Sequence, residues 1–143
     1  MNVVLCTDAD WLLSEEAYSL YAPCMYQPKY EDFKNKMESL LNDHSVRVYV
    51  CGERGEKTGI MVLKLSGSAA EIIGIATSEK LRHQGIGKHL IQFAMESEFL
   101  ERINAQTDDD SVGFYRKCGF TEERIVVDYP DGPVVRYNCV LGK

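Results

Sequence analysis

The stretch LRHQGIGKHL, residues 81–90, places Gly85 and Gly87 one residue apart between a basic turn and an amphipathic segment. Glycine costs about 0.5–1 kcal/mol relative to alanine within regular structure, so two glycines at a helix entrance require a physical reason. The first amides of a helix have no intrahelical partner and favour negative charge, and glycine lets an anion approach them closely. The stretch therefore predicts an anion site at a helix start, with a tight surface turn as the alternative.

Two common phosphate-binding loops do not fit this stretch. A Walker loop needs GxxxxGK followed by Ser or Thr, and a Rossmann fingerprint needs a third glycine where this chain has Ile91 or Gln92. Because no Ser or Thr follows Lys88 to bind magnesium, a nucleotide-binding domain is disfavoured. The side chains of Arg82, His83 and Lys88 would instead supply donors at the rim of an anion site.

Apolar periodicity along the chain predicts seven strands and four helices in a single α+β domain. Strands are predicted at residues 2–7, 46–52, 59–66, 69–78, 102–107, 120–129 and 134–141. Helices are predicted after an N-cap at Thr7 or Asp8, from Tyr30 to Leu41, from Ile86 to Leu100, and in a short segment that ends at Gly119. This order predicts one domain over residues 1–143, with a mixed, mostly antiparallel sheet of about seven strands flanked by about four helices.

Length and composition exclude several classes of protein. The 143 residues carry a formal charge of −6, which argues against a nucleic-acid partner, because phosphates call for a basic stripe. No apolar run approaches the roughly 18–20 residues of a membrane span, and the N-terminal residues lack the features of a signal peptide. We therefore expect no membrane partner and a cytoplasmic location. The five cysteines are scattered without a CxxC pair, so no metal site is expected.

The double-glycine stretch and a second motif downstream together resemble the GNAT superfamily of acetyl-CoA-dependent N-acetyltransferases. The family signature Q/R-x-x-G-x-G/A reads RHQGIG at residues 82–87, and the preceding IIGIATSEK resembles the family's fourth strand. Downstream, DDDSVGFYRKCGF at residues 108–120 resembles the second family motif, a short helix with Tyr115 followed by Gly119 and Phe120. The resemblance implies the GNAT fold and the use of acetyl-CoA as co-substrate.

The resemblance also implies which residues bind acetyl-CoA. Backbone groups of Ile75, Ala76 and Thr77 at the end of the fourth strand would hold the pantetheine arm, and the amide near Ile75 would face the developing oxyanion. The diphosphate would bind at the glycine turn, formed by Arg82, His83, Gln84, Gly85, Ile86, Gly87 and Lys88. Asp108 and Ser111 would lie near the pantetheine. Asp108 replaces the family's usual asparagine, however, and could instead cap the short helix.

The resemblance also implies that two side chains transfer protons during the reaction. Tyr115 would protonate the departing CoA thiolate, since a phenol with a pKa of about 10 can protonate a thiolate whose parent thiol titrates near about 8.5. The alternative is a core tyrosine that anchors the short helix. Glu71 lies fourteen residues before Gly85, the spacing of the base in histone-acetylating members. Strand alternation puts it on one face with Ile73, Ile75 and Thr77. The alternative for Glu71 is a solvated residue near a strand end.

The sequence therefore favours direct transfer of the acetyl group to a primary amine of a small molecule or peptide in a ternary complex, without a metal or a covalent enzyme intermediate. The alternative is a non-catalytic acyl-CoA-binding or sensor module, which would have no use for Tyr115. The family analogy puts the acceptor groove between the first two helices and the last hairpin, with walls at Met25, Tyr26, Tyr30 and Tyr129. The net negative charge of the chain favours a cationic acceptor. The resemblance also allows for a homodimer.

Overall fold

This computed structural model describes residues 2–81 and 84–142. They contain seven strands and five helices. The strands are β1 (Asn2–Leu5), β2 (Val46–Glu53), β3 (Glu56–Ser66), β4 (Ala69–Thr77), β5 (Arg102–Thr107), β6 (Thr121–Tyr129) and β7 (Gly132–Gly142). The helices are α1 (Ala9–Leu12), α2 (Glu15–Tyr21), α3 (Tyr30–Leu41), α4 (Ile86–Ser97) and α5 (Val112–Lys117), with 3-10 turns at Ala22–Cys24 and Glu79–Leu81. No helix in the described ranges has the length and apolar character needed to cross a bilayer.

The strands form one mixed sheet in the order β1-β2-β3-β4-β5-β7-β6. Every neighbouring pair is antiparallel except β4 and β5, which are parallel. Both predicted hairpins form, β2 with β3 and β6 with β7. The first of them turns on Arg54 and Gly55, whose φ angles of 54° and 82° suit a tight hairpin turn. The predicted α+β class and the mostly antiparallel sheet are confirmed.

Helices cover the sheet on both faces, and β3 supplies the centre of both cores. Ile60 and Val62 point to the face covered by α1, α2 and α3, where Phe33 belongs to the same core. Met61 and Leu63 point to the opposite face, under α4 and α5. All four β3 side chains are fully buried, so the uninterrupted apolar run of β3 follows from cover on both faces.

The first helical segment consists of two short helices rather than the single helix predicted. Asp8 caps α1 as the sequence indicates, because its carboxylate accepts from the amide of Trp11 at 3.1 Å. The hydroxyl of Ser14 then donates to the carbonyl of Trp11 at 2.6 Å and accepts from the amide of Ala17 at 3.2 Å. A hydroxyl that bonds nearby backbone competes with continued helix, so Ser14 ends α1 and starts α2.

A β-bulge at Ile73 reverses the faces of β4 halfway along the strand. Leu63 of β3 faces Ile72, but the next residue of β3, Val62, faces Gly74, which leaves Ile73 as the extra residue. Beyond the bulge Ile75 packs against the core under α4, whereas Ile73 packs against the core under α2 and α3. The predicted alternation was therefore wrong.

Glu71 consequently does not share a face with Ile75 and Thr77. Glu71 lies opposite Lys64 on β3, on the same face as Val62 and therefore on the side of α2 and α3. Thr77 lies opposite Gly59, whose face is that of α4. Strand alternation holds only where the ladder is regular, and the extra residue shifts it by one.

Gly74 is a glycine because the side chain of Tyr21 crosses β4 at this point. A Cβ atom on Gly74 would lie 1.9 Å from the Tyr21 hydroxyl oxygen and 2.5 Å from the ring carbon that carries it. Tyr21 is buried, with an exposure of 6%. The bulge and the glycine together let this tyrosine pass from α2 over the strand.

We expect Gly74→Ala to lower the free energy of unfolding by about 1–3 kcal/mol, since the added methyl group overpacks against the ring of Tyr21. In a Tyr21→Ala background the same substitution should cost less, because the ring it meets is gone. Urea unfolding of the two single variants and the double variant measures this coupling.

Gly113→Ala is the matched control for this cycle. Gly113 lies within α5, and nothing would lie within 4 Å of its added Cβ. The control should gain about 0.5–1 kcal/mol from the lower entropy of the unfolded chain. Equal costs of Gly74→Ala with and without Tyr21 would contradict the close contact.

Candidate active site

A gap in the sheet opens between β4 and β5. Their parallel pairing extends over only three residue pairs and ends at Glu71 with Asn104. Beyond this point β4 continues with β3 as far as Thr77, and β5 continues with β7 as far as Thr107. The edge of β4 from Ile72 to Thr77 therefore lies open toward β5, where the sequence predicts the pantetheine arm.

The three β4 residues predicted to contact this arm lie along the gap, and their side chains are engaged in packing. Ala76 is buried in the core under α2 and α3, and Ile75 packs against the core under α4. Thr77 is half-buried at the end of the strand. The role of their backbone groups in binding a ligand stays a prediction.

The start of α4 presents amides without a side-chain cap. Gly85 occupies the N-cap position with a left-handed φ of 77°, and the first turn contains no acidic residue. The side chain of Ile86 is buried in the core, so only its amide can serve a ligand, whereas Gln84 and Lys88 are exposed. Such a helix start favours an anion. Arg82 and His83, also predicted to bind the diphosphate, lie outside the described residues.

The two glycines of the motif serve different purposes. Gly85 needs its left-handed conformation, and nothing would lie within 4 Å of a Cβ there. Gly87 is buried, and its Cβ would lie 2.7 Å from two ring atoms of Phe114 on α5 and 3.7 Å from Ile75. The sequence predicts that both glycines allow an anion to approach the helix start. In the fold, Gly87 also lets α4 and α5 pack closely beside the gap.

The turn before α5 is organised by Asp108. Its carboxylate accepts from the amide of Ser111 at 3.0 Å, and its carbonyl accepts from the amide of Val112 at 3.0 Å. The hydroxyl of Tyr137 on β7 donates to the carboxylate of Asp109 at 2.6 Å and ties the turn to the sheet. Asp108 thus holds the turn before α5 but does not cap the helix as the sequence alternative predicted, since Ser111 occupies the N-cap position and no side chain caps α5. Ser111 is exposed at the start of α5.

Tyr115 is buried next to the gap between two other aromatic rings. Its ring meets those of Phe114 and Phe120 edge to face, at centroid distances of 5.0 and 5.1 Å. Burial raises the pKa of Tyr115 above its ordinary value, and the neighbouring thiols of Cys139 and Cys24 raise it further. The phenol is therefore held in its protonated form.

Tyr21 and Cys24 reach the same place from the opposite layer. The thiol of Cys24 donates to the carbonyl of Tyr21 at 3.1 Å. Burial raises the pKa of Tyr21, and both Cys24 and Tyr115 add to the effect. Sequence reasoning missed this pair, because nothing in a Tyr-x-x-Cys spacing indicates that the tyrosine crosses a strand.

The thiol of Cys24 marks the position of the Ile75 amide. Although Cys24 is exposed as a residue, the packing around its sulfur raises the pKa of the thiol to about 11. Hydrogen bonds from Tyr21 and from the backbone of Ile75 lower the pKa in part, as does the charge of Lys36. The Ile75 backbone predicted to face an oxyanion is thus directed into the space beside this thiol.

A cavity of about 260 Å³ lies next to Tyr21 and Cys24, between the first 3-10 turn and α3. Its walls are Tyr21, Cys24, Met25, Tyr26, Phe33, Lys36, Met37, Leu40 and Ile73. Met25 and Tyr26 are two of the walls predicted for the acceptor groove. Tyr30 instead donates its hydroxyl to the carbonyl of Leu13 at 2.6 Å and braces α3, and Tyr129 on the last hairpin is not among the walls.

Glu71 is exposed at the closed end of the gap, where the pairing of β4 with β5 ends. Ile75 lies four residue steps along the extended strand from Glu71, a span of about 13 Å. A carboxylate at that distance would act on a group beside Ile75 through water rather than by direct contact. Within the described ranges, no group of three or more His, Cys, Asp or Glu side chains is arranged to hold a metal ion.

Comparison with protein families identifies one match. The family described as acetyltransferase (GNAT) matches residues 12–120, which include β4, the glycine turn and the α5 segment. No curated protein matches the sequence at a significant level.

Solved structures of acetyltransferases share the fold. The ribosomal-protein-S18-alanine N-acetyltransferase of Escherichia coli superposes with a TM-score of 0.75 at 15% identity, over 99% of this chain and 92% of that one. An acetyltransferase of Bacillus subtilis in complex with CoA gives 0.71 at 19% identity, over 99% and 98% of the two chains. A spermidine N-acetyltransferase variant of Vibrio cholerae gives 0.70 at 16% identity, over 99% and 95%. At these identities the likeness concerns the fold.

The raised pKa of Cys24 predicts slow alkylation at neutral pH, because the thiolate is the reactive form. With a pKa of about 11, the rate of modification of Cys24 by iodoacetamide should keep rising with pH well beyond pH 9. Residue-resolved mass spectrometry after timed labelling measures the rate, with the thiol of free glutathione as the reference. A rate that levels off below pH 9 would contradict the described packing around the sulfur.

Proposed function

Because the chain belongs to the acetyltransferase (GNAT) family, we propose that it transfers the acetyl group of acetyl-CoA to a primary amine of a small molecule or peptide. The observation that carries the proposal is the gap between β4 and β5, which Tyr115 flanks and which the first turn of α4 adjoins through Gly87 and Ile75. The acetyltransferase of Bacillus subtilis with the same fold was solved in complex with CoA, which supports CoA as the group bound here.

Binding of acetyl-CoA would use two sets of unpaired backbone groups. The open edge of β4 offers donors and acceptors in the pattern of a strand, and the two amide groups of the pantetheine arm match such a pattern. The uncapped amides of α4 behind Gly85 would receive the diphosphate, with Lys88 and Gln84 exposed beside them. The thioester then lies between the Ile75 backbone and Tyr115.

Acetyl transfer begins with attack of the neutral amine on the thioester carbonyl. The Ile75 amide would donate to the carbonyl oxygen as it becomes an oxyanion, and one such preorganised donor is worth about 3–4 kcal/mol. As the carbon–sulfur bond breaks, Tyr115 would donate its proton to the departing thiolate of CoA. The amine proton leaves toward Glu71 through water, the Tyr115 phenolate regains a proton from water, and the products are the acetylated amine and the CoA thiol.

The thiol of Cys24 raises the question of a covalent route, in which an acetyl-cysteine forms first. The nucleophile of such a route is a thiolate, and the raised pKa of Cys24 leaves very little thiolate at neutral pH. This observation supports direct transfer in a ternary complex. The remaining alternative is a non-catalytic module that binds acyl-CoA and releases it unchanged.

We expect Tyr115→Phe to lower kcat by about 100-fold, because the ring remains packed while the proton donor is lost. The KM for acetyl-CoA should change little, since the proposed contacts to CoA are made by the backbone. Release of the CoA thiol during an acceptor screen measures both constants. Negligible turnover of both forms with intact acetyl-CoA binding would instead indicate the sensor module.

Two variants serve as controls for this experiment. Tyr18→Phe removes a hydroxyl from a ring that packs on Tyr30 and Phe33, away from the gap, and should leave kcat unchanged. Cys24→Ser should retain most of the activity. A folded Cys24→Ser variant that loses turnover as completely as Tyr115→Phe would favour the covalent route.

Glu71→Gln should reduce turnover more for strongly basic acceptors than for weakly basic ones. Removing the proton of an amine with a pKa of about 10.4 at pH 7 costs about 4.6 kcal/mol, against about 1.4 kcal/mol for a pKa of about 8. Comparison of kcat/KM over amines of graded basicity tests this role, with Glu123→Gln on the exposed part of β6 as the control. Equal losses for all amines would remove Glu71 from the mechanism.

A further inference from the structure

The cavity beside Tyr21 and Cys24 has one charged side chain among its walls, and that side chain is a lysine. Lys36 of α3 contributes the charge, and the other walls in the described part of the chain are aliphatic, aromatic or thiol side chains. Among the described residues, no carboxylate belongs to the walls. An amine acceptor with further positive charges would therefore meet a cation and find no partner for its own charges.

The field of Lys36 reaches the inner end of the cavity. Its charge acts on the Cys24 thiol, which also contacts the Ile75 backbone. Ile73, the extra residue of the bulge in β4, is also one of the walls. The cavity with its lysine thus borders β4 two residues from Ile75, where acetyl transfer is proposed.

The net charge of the whole chain does not offset this local charge. Charges separated by more than about 8–10 Å are largely screened at physiological salt, so a ligand in the cavity meets the exposed Lys36 at close range and little of the distant net charge. The formal charge of −6 could steer a cation toward the protein, but the cavity itself has the opposite preference. The acidic composition, which favours cationic acceptors, is therefore a poor guide to what the cavity binds.

We propose that this cavity binds the body of the acceptor, and that the acceptor is a small primary amine with an apolar chain and a carboxylate that pairs with Lys36, rather than a polyamine. This inference rests on the proposed function and names its substrate class. A volume of about 260 Å³ is below the roughly 300–1,000 Å³ of sites for drug-sized ligands, which fits a body of this size.

Three amines of equal chain length test the proposal: aminohexanoate, hexylamine and diaminohexane. They carry the same reacting amine and differ only in the far end, which is a carboxylate, a methyl group or a second ammonium. Titration calorimetry on the CoA-loaded protein should give the tightest binding for aminohexanoate, about threefold tighter than hexylamine, because its carboxylate pairs with an exposed lysine and such pairs contribute modestly. Diaminohexane should bind most weakly.

Variants of α3 assign the order of affinities to one residue. Lys36→Glu should reverse the order, so that diaminohexane binds most tightly, and Lys36→Gln should bring the three affinities together. Lys34→Glu makes the same change of charge on the same helix at a residue that is not a wall of the cavity, and it should keep the original order. Tightest binding of diaminohexane by the unmodified protein, or an order that ignores Lys36→Glu, would overturn the proposal.

Release of the CoA thiol with the same three amines separates this inference from the proposed function. Binding in the expected order without thiol release from any amine supports the ligand class and overturns the transferase. Thiol release that follows no preference among the three amines, and does not change in Lys36→Glu, supports the transferase and overturns the ligand class.

Discussion

The early end of the pairing between β4 and β5 is the feature on which the candidate site depends. After three residue pairs, the β4 edge from Ile72 to Thr77 is paired on the β3 side alone. Backbone amides and carbonyls need partners, so an open edge inside a sheet is costly unless water or a ligand satisfies it. A bulge adds local twist to a strand, and the bulge at Ile73 lies where the two strands separate. The irregularity of one strand thus provides both the gap and its unpaired backbone groups.

Two glycines bring aromatic side chains from opposite layers to this gap. At Gly74 the missing side chain lets Tyr21 cross β4 from α2, and at Gly87 it lets Phe114 of α5 pack on α4. Phe114 in turn meets Tyr115 edge to face. Because each glycine lacks a methyl group that a ring would otherwise strike, Tyr21 can cross β4 and Phe114 can pack on α4. The positions of the side chains therefore depend on close packing several residues away from them.

Most elements could be predicted from the sequence, because apolar periodicity reports directly which face of an element is buried. α3 was predicted with its observed bounds, and β5 likewise. The division of the first helix depends on Ser14, whose capping signal is visible only when its hydroxyl is known to bond backbone. Two features could not be predicted: the side of the sheet on which Glu71 lies and the path of the Tyr21 side chain over β4. Both depend on the bulge at Ile73, which the alternation of apolar and polar residues does not indicate. The glycine turn was found by its motif, but the packing role of Gly87 needs the position of Phe114.

Burial of Tyr115 has opposite consequences for its protonation and for its strength as an acid. A raised pKa keeps the phenol neutral at every pH at which the protein would work, yet it also makes the phenol a weaker acid. The same surroundings act on the leaving group, because a thiolate that forms in the gap loses the same hydration and its own pKa rises as well. What decides proton transfer is the difference between the two pKa values, and desolvation shared by both groups largely cancels from that difference. The phenol can therefore remain a suitable donor to this thiolate in a buried gap, although its raised pKa would make it a weak acid toward bulk water.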